Sequence, residues 1–185
     1  SNALGAIEQE VVDGYTTRLA DDGAIDAGRT RTDQALAEVS AAVNQLGLGA
    51  AAATHATDAQ IAVRAGRTAA DGVAQMNGTS SRIDPLESYE SAARQLVSIG
   101  QLLPAVSDDA DLGSELLAVV RLSEARLAAT AVIHATTRWN TVYDDVTVLP
   151  EARTAYTQLE AVLAEFETTA KDEWALEYRN SGYAA

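Results

Sequence analysis

A few arginines are the side chains in this sequence best suited to binding chemistry. Arg64 and Arg67 lie three residues apart and share a predicted helix face with Gln60, and Arg126 interrupts an apolar stripe farther along the chain. A guanidinium donates paired hydrogen bonds to planar anions. Positive side chains are also scarce, with 13 basic residues against 27 acidic ones. Arg64, Arg67 and Arg126 are therefore the candidate ligand-binding residues, and a small anion is the candidate ligand.

The same arginines have a simpler interpretation. Each could form an ion pair with a nearby acid, as Arg126 could with its neighbours on the same helix. Surface ion pairs are common and carry no information about a ligand. The sequence is compatible with both interpretations, ligand binding and ion pairing.

The remaining reactive side chains do not indicate catalysis or a metal site. The chain has no Cys, and neither His55 nor His134 has a second ligand at metal-binding spacing. Asp pairs occur at 21–22, 108–109 and 144–145, where we expect helix caps and solvated loops. No nucleophile elbow and no phosphate-binding loop is present. We therefore predict no enzyme activity in this segment, no metal and no cofactor.

The charge balance excludes one class of partner. The formal net charge is −14 at pH 7, and a field of that sign repels nucleic-acid phosphates, so we expect no nucleic acid among the partners. The apolar fraction of 47% includes one Phe, one Met and two Trp, and much of the rest is alanine. Alanine suits closely approaching helices. The 185 residues suffice for one helical domain or two small bundles.

The ends of the sequence predict an excised piece of a longer protein. Ser1-Asn2-Ala3 resembles the remnant of a cleaved expression tag, which leaves residues 4–185 as the domain. No stretch is apolar enough to span a bilayer; Val39 to Thr57 is uncharged but contains Ser, Asn, Gln, Thr, Gly and His. We expect any contact with a membrane to come only through flanking segments.

Apolar residues recur at three- and four-residue spacing along most of the chain, which predicts amphipathic helices and no strand. The clearest start is Pro85, preceded by Asp84 as a cap and followed by Glu87. We predict an all-α antiparallel bundle of about six helices with long first and last helices. The predicted segments run from Leu4 to Ala20, Asp26 to Leu46, Thr57 to Met76, Pro85 to Leu103, Ser107 to beyond Ile133, and Pro150 to Tyr178.

Two of these segments carry specific expectations about their starts and faces. Thr57 with Gln60 resembles a capping box, which predicts the start of the third helix there. Its expected inner face is Ile61, Ala65, Ala69, Val73 and Met76. The expected inner face of the fifth helix is Leu112, Leu116, Val119 and Leu127, continued by Ile133.

Several short stretches resemble the nitrate- and nitrite-sensing domains of bacterial receptors, especially the extracytoplasmic domains of actinobacterial sensor histidine kinases. The resemblance covers most of Leu4 to Tyr178. The matching stretches are Gln9-Glu10 before Tyr15, Arg29-Thr30-Arg31-Thr32-Asp33, Ile61-Ala62-Val63-Arg64, Glu87-Ser88-Tyr89, and Leu122 to Arg126.

The resemblance implies an all-helical, extracytoplasmic sensor domain of a plasma-membrane receptor. It implies that a small anion such as nitrate or nitrite lies between helices, with Arg64 and Arg126 as matching cations, and that the parent receptor is a homodimer. Val11, Val132 and Ile133 stand where the family carries charged residues. The resemblance therefore does not extend to the choice of anion.

Two functional hypotheses follow. The first is a ligand-sensing domain in which a ligand between helices shifts the first helix relative to the last. The second is a helical interaction or dimerisation module without a small-molecule ligand. A fully packed core, with Arg64 and Arg126 each paired to an acid, would indicate the second.

Overall fold

A computed structural model of the chain describes residues 2–16, 22–75, 85–141, 148–171, 174–176 and 178. All regular secondary structure in these residues is helical and no strand occurs among them, so the all-α prediction is confirmed. The α-helices are α1 Ala3–Thr16, α2 Asp22–Gln45, α3 Gly49–Gln75, α4 Pro85–Gly100, α5 Ala110–Thr141 and α6 Val148–Thr169, with a short 3-10 helix at Pro104–Val106. None of the described helices is long and apolar enough to cross a bilayer.

Among the described residues, the longest helices lie inside the chain rather than at its ends. Helices α5 and α3 have 32 and 27 residues, whereas α1 has 14 and α6 has 22. The expected uninterrupted last helix is wrong: the chain bends at Ala170 and is not helical at Lys171, before helical residues resume at 174–176. Two of the residues assigned to a tag remnant contact α1: the Asn2 side chain accepts a hydrogen bond from the Gly5 N–H at the helix start, and Ala3 is the buried first residue of the helix.

The chain forms two compact units, Ser1–Ile99 and Gly100–Ala185. The first unit contains α1 to α3 and nearly all of α4. Its core takes buried side chains from all four helices, namely Ile7, Leu36, Ala59, Val63, Tyr89 and Ala92. Small alanines at two of these positions leave room for close helix approach, while the larger residues fill the centre.

Helix α3 starts eight residues earlier than the capping-box pattern predicts. It begins at Gly49, after a turn in which Gly47 and Gly49 have φ of 62° and 84°, values that favour glycine. Thr57 is inside the helix, where its hydroxyl donates to the Ala53 carbonyl oxygen at 2.9 Å. The predicted start is wrong because the alanine run after Gly49 propagates the helix strongly.

Of the described positions on the predicted inner face of α3, only Ala69 is buried. Ile61 is 56% exposed, and the buried positions are Ala52, Ala56, Ala59 and Val63, with Ala69. Val73 and Met76 lie outside the residues whose side chains are described. Counting the large apolar residues selected the wrong side of a helix that packs mainly through alanine.

The second unit is built on α5 and α6. Buried alanines of α5, including Ala118, Ala125 and Ala128, occur in the same unit as Phe166 of α6, which is 2% exposed. Phe166 also meets Tyr178 edge to face, with ring centroids 5.8 Å apart. Arg121 pairs with Glu165 at 2.9 Å and joins the two helices.

The predicted inner face of α5 is wrong as well. Leu112, Val119 and Ile133 are 48%, 50% and 63% exposed, whereas Leu116 and Leu127 are half-buried. This helix carries apolar residues on several sides, so spacing alone could not identify the side that faces α6. The start at Asp108-Asp109 is close to the observed one, because the Asp109 carboxylate caps the N–H groups of Asp111 and Leu112 at 2.9 and 3.2 Å.

Candidate functional site

A buried carboxylate on α1 forms the centre of the candidate site. Glu10 is 4% exposed and follows the buried residues Ala3 and Ile7 at seven- and three-residue spacing. These intervals place it on the inner face of α1. A charge removed from water to this extent needs a cationic partner and further hydrogen bonds.

Arg67 on α3 is that partner. Its Nε donates to Oε1 of Glu10 at 2.7 Å and its Nη2 to Oε2 at 2.9 Å, so the ion pair is bidentate. Nη1 donates to Oδ1 of Asp33 on α2 at 2.8 Å, and Nη2 also donates to the Arg29 carbonyl oxygen at 3.0 Å. Every nitrogen of this guanidinium is therefore engaged, and 14% of the side chain is exposed.

Two hydroxyl groups complete the arrangement. The buried Tyr89 on α4 donates its hydroxyl hydrogen bond to Oε1 of Glu10 at 2.9 Å. Thr32 on α2 is 0% exposed, and its hydroxyl lies 3.1 Å from the Ala6 carbonyl oxygen of α1. We call Glu10, Thr32, Asp33, Arg67 and Tyr89 the Glu10 network. It joins α1, α2, α3 and α4.

Gly66 allows Tyr89 to reach this position. A Cβ at residue 66 would lie 2.9 Å from Cε2 of Tyr89 and 3.3 Å from the Pro85 carbonyl oxygen. Both distances are shorter than a comfortable contact, so the Tyr89 ring occupies the space that a side chain would need. Glycine at 66 is thus required for the close packing of α3 against α4.

The network holds its charges in fixed ionisation states. Burial by itself would raise the pKa of Glu10, but hydrogen bonding and charge from Arg67, with the Thr32 and Tyr89 hydroxyls, bring that pKa below its ordinary value. The hydrogen bond to Glu10 raises the pKa of Arg67 above its ordinary value. Burial, with the neighbouring Glu10 charge, raises the pKa of Tyr89. Glu10 is therefore a carboxylate, and Tyr89 a neutral donor, at neutral pH.

An open groove lies beside the network. Its volume is about 680 Å³, and its walls carry three arginines, three aspartates and two threonines: Asp26, Arg29, Thr30, Asp33, Arg64, Arg67, Thr68 and Asp71. Next to it is a smaller pocket of about 340 Å³, lined by Asp33, Leu36, Gln60, Arg64 and Arg67. Arg67 and Asp33 belong both to the network and to these two cavities.

The three arginines of the groove differ in their partners. Arg67 is engaged by Glu10 and Asp33, and Arg29 donates to Oδ1 of Asp71 at 2.6 Å. Arg64 is exposed, and its Nη2 donates to the amide oxygen of Gln60 at 3.5 Å, a long contact. Among the residues that the structure describes, Arg64 has no carboxylate partner.

The structure brings two of the three predicted ligand residues together. Arg64 and Arg67 line the same groove, as their shared helix face predicts. Arg126 is on α5 in the second unit, where its side chain is exposed. Arg67 is engaged by Glu10 and Asp33, as the ion-pair interpretation of the arginines predicts. Arg64 has no such ion pair among the described residues and does not fit that interpretation.

Sequence reasoning did not single out Glu10 as a site residue. A signal was present, because Glu10 interrupts the spacing of apolar residues on α1 just as Arg126 interrupts that of α5. A carboxylate on a buried stripe indicates a cationic partner elsewhere in the core. The identity of that partner depends on how α1 meets α3, which spacing within one helix cannot reveal.

The described residues contain no group of three His, Asp or Glu side chains arranged to hold a metal ion. The His55 Nδ1 lies 2.6 Å from the Gln95 amide oxygen and links α3 to α4. The Asp pair at 144–145 and Asp21 lie outside the described residues, as do the side chains of 136–140.

Comparison with known proteins adds no relative. The chain matches no protein-family model, and no curated protein or solved structure matches it. Function must therefore be inferred from the groove and the network.

The ionisation of Glu10 predicts that the free energy of unfolding falls at acidic pH. Because its pKa is lowered by folding, its contribution is fully present above the ordinary value of 4.5 and is lost as pH falls through the folded value. In urea titrations from pH 7 to pH 3, the difference in unfolding free energy between the wild type and Glu10→Gln should shrink below pH 4.5. A difference that stays constant over this range would contradict the lowered pKa.

Proposed function

We propose that this chain is a ligand-sensing helical domain that binds a small anion, such as nitrate or nitrite, at Arg64. The parent protein in this proposal is a membrane receptor, a sensor histidine kinase, with the domain on the extracytoplasmic side. The placement of Arg64 carries the proposal. Its guanidinium is exposed on the wall of a groove, lacks a carboxylate partner among the described residues, and lies one helical turn from Arg67.

The smaller pocket offers suitable chemistry to an anion of this kind. Arg64 and the Gln60 amide offer polar contacts, and Leu36 supplies an apolar wall. Asp33 faces the same pocket, and its negative charge opposes a second one. Attraction by Arg64 and repulsion by Asp33 together favour a small, singly charged anion over a phosphate-like dianion. We expect the affinity to be modest.

The neighbouring network offers a route from the groove to the first helix. An anion at Arg64 lies beside Asp33 and Arg67, and Arg67 also holds Glu10 of α1. Repulsion between the anion and Asp33 would weaken the Asp33–Arg67 pair and change how Arg67 holds α1. A ligand alters a conformational equilibrium only through such a difference in interaction between two states.

The family resemblance supports the same proposal. Several residues from its matching stretches occupy one region of the first unit, namely Glu10, Thr32, Asp33, Arg64 and Tyr89. The membrane receptor, the kinase and the extracytoplasmic location come from the resemblance alone.

Thermal unfolding with a panel of sodium salts tests the proposal. At ten times its dissociation constant, a bound anion should raise Tm by about 3 °C or more relative to sodium chloride at equal ionic strength. Arg64→Ala should remove this rise. Arg94→Ala is the matched control, since this exposed arginine of α4 is 3.8 Å from Glu90 and lies outside the groove lining. A rise that survives Arg64→Ala would contradict binding at this site.

A second candidate function is a helical interaction module without a small-molecule ligand. The charge balance of the groove favours it, because three aspartates match three arginines and two of those arginines are already paired. In that case no salt in the panel would raise Tm above the chloride reference.

A further inference from the structure

Arg64 and Asp33 line the same small pocket but form no ion pair with each other. The guanidinium of Arg64 has only its long contact with Gln60. Oδ1 of Asp33 accepts a hydrogen bond from Arg67, but the Asp33 side chain is 64% exposed, which leaves Oδ2 accessible. The pocket therefore offers one cation and one anion to its occupant.

The charges around this pocket already cancel. Arg64 and Arg67 supply two positive charges, and Asp33 and the buried Glu10 supply two negative ones. A simple anion would add an unbalanced negative charge to a chain whose formal net charge is already −14. A ligand with one charge of each sign adds no net charge, and it is complementary to Arg64 and Asp33 at once.

We propose that the occupant of this pocket is a zwitterionic α-amino acid, so that the anion at Arg64 is the carboxylate of that ligand. The inference rests on the proposed sensing function and narrows its ligand class. The Arg64 guanidinium donates to the carboxylate, and the ammonium group donates to Oδ2 of Asp33. An α-amino acid carries both groups on one carbon atom, which suits two residues that line one pocket of about 340 Å³.

The remaining walls of the pocket select the side chain of the ligand. Leu36 supplies the apolar wall, so a small, uncharged side chain is favoured. The ammonium group competes with Arg67 for the Asp33 carboxylate. Binding would therefore still weaken the Asp33–Arg67 pair, which keeps the proposed route to α1.

Asp33 distinguishes a zwitterion from a simple anion. Its charge repels nitrate or a carboxylate alone, but it attracts an ammonium group. Removing that charge should change the two affinities in opposite directions. A purely structural role of Asp33 would lower both affinities together.

Isothermal titration calorimetry of the full chain tests the proposal. The probes are glycine, L-alanine and L-valine, each compared with the hydroxy acid of the same carbon skeleton: glycolate, L-lactate and L-2-hydroxyisovalerate. Each pair shares a carboxylate and differs only in ammonium against hydroxyl. At least one amino acid should bind about tenfold or more tightly than its hydroxy acid. Arg64→Ala should weaken the binding of both members of that pair.

Asp33→Asn tests the ammonium contact, because it removes the charge and keeps an acceptor for Arg67. It should weaken binding of the amino acid about tenfold, while the hydroxy acid and nitrate bind as tightly as before or more tightly. Asp58→Asn is the matched control, since Asp58 lies on α3 outside both cavity linings, and it should bind every probe as the wild type does.

The outcomes separate this inference from the proposed function. If nitrate or a hydroxy acid binds through Arg64 at least as tightly as every amino acid, the inference is overturned and the proposed function stands. Equal losses for both members of a pair in Asp33→Asn would likewise overturn the ammonium contact. If no anion and no amino acid binds up to about 10 mM, both the inference and the proposed function fail.

Discussion

Arg67→Ala is expected to lower the free energy of unfolding by about 3–5 kcal/mol. The substitution leaves the Glu10 carboxylate, which is 4% exposed, without its bidentate partner. It also removes the donor to Asp33 and to the Arg29 carbonyl oxygen. Urea unfolding at pH 7, followed by the helical signal, measures the loss.

Arg64→Ala is the matched control for this variant. The two arginines are one turn apart on α3, but Arg64 is exposed and makes a single long contact with Gln60. Its removal should change the free energy of unfolding by less than about 0.5 kcal/mol. Equal losses in the two variants would show that Arg67 is not a special link between helices.

Gly66→Ala is expected to destabilise the protein by about 1–3 kcal/mol, although alanine is the better helix former. The new methyl group would lie 2.9 Å from the Tyr89 ring, whose hydroxyl is fixed by Glu10. It would also lie 3.3 Å from the Pro85 carbonyl oxygen, a backbone atom that cannot rotate away. Thermal or urea unfolding measures the effect.

Gly72→Ala, on the same helix, should have the opposite sign. No atom lies within 4 Å of a Cβ built at residue 72. The variant should therefore gain about 0.5–1 kcal/mol from helix propensity. If both substitutions stabilise the protein, the close contact between α3 and α4 at Gly66 is absent.

The helices that sequence predicted best are those with chemical start signals. Helix α4 begins at Pro85 as predicted, and Leu86, Tyr89, Ala93 and Ile99 at three- and four-residue spacing are all buried. Proline at the first turn, followed by Glu87, specifies the start of this helix, and the spacing of its large apolar residues specifies the buried side. When one face of a helix carries large apolar residues and the opposite face is polar, the buried side can be read from the sequence.

Helices rich in alanine were predicted less well. On α3 and α5 the buried faces are mostly alanine, while Ile61, Leu112 and Val119 are exposed. Hydrophobic spacing gives weight to large side chains, but close helix packing selects small ones. Which of two apolar sides is buried depends on the neighbouring helix. The spacing of residues within one segment carries no information about that neighbour.

The candidate site was predicted only in part, because its side chains also come from different helices. The spacing of Arg64 and Arg67 correctly places both on one face of α3, beside one groove. It could not distinguish the arginine that is paired from the one that is exposed. That difference arises because Glu10 comes from a helix 57 residues away in sequence.

A double-mutant cycle between Glu10 and Arg67 tests most directly whether this ion pair ties the first helix to the rest of its unit. The unfolding free energies of the wild type, Glu10→Ala, Arg67→Ala and the double variant would be compared at pH 7. A coupling energy of about 1.5 kcal/mol or more is the expected result. Additive effects, with a coupling below about 0.5 kcal/mol, would contradict the role of the pair and remove the proposed route from the groove to α1.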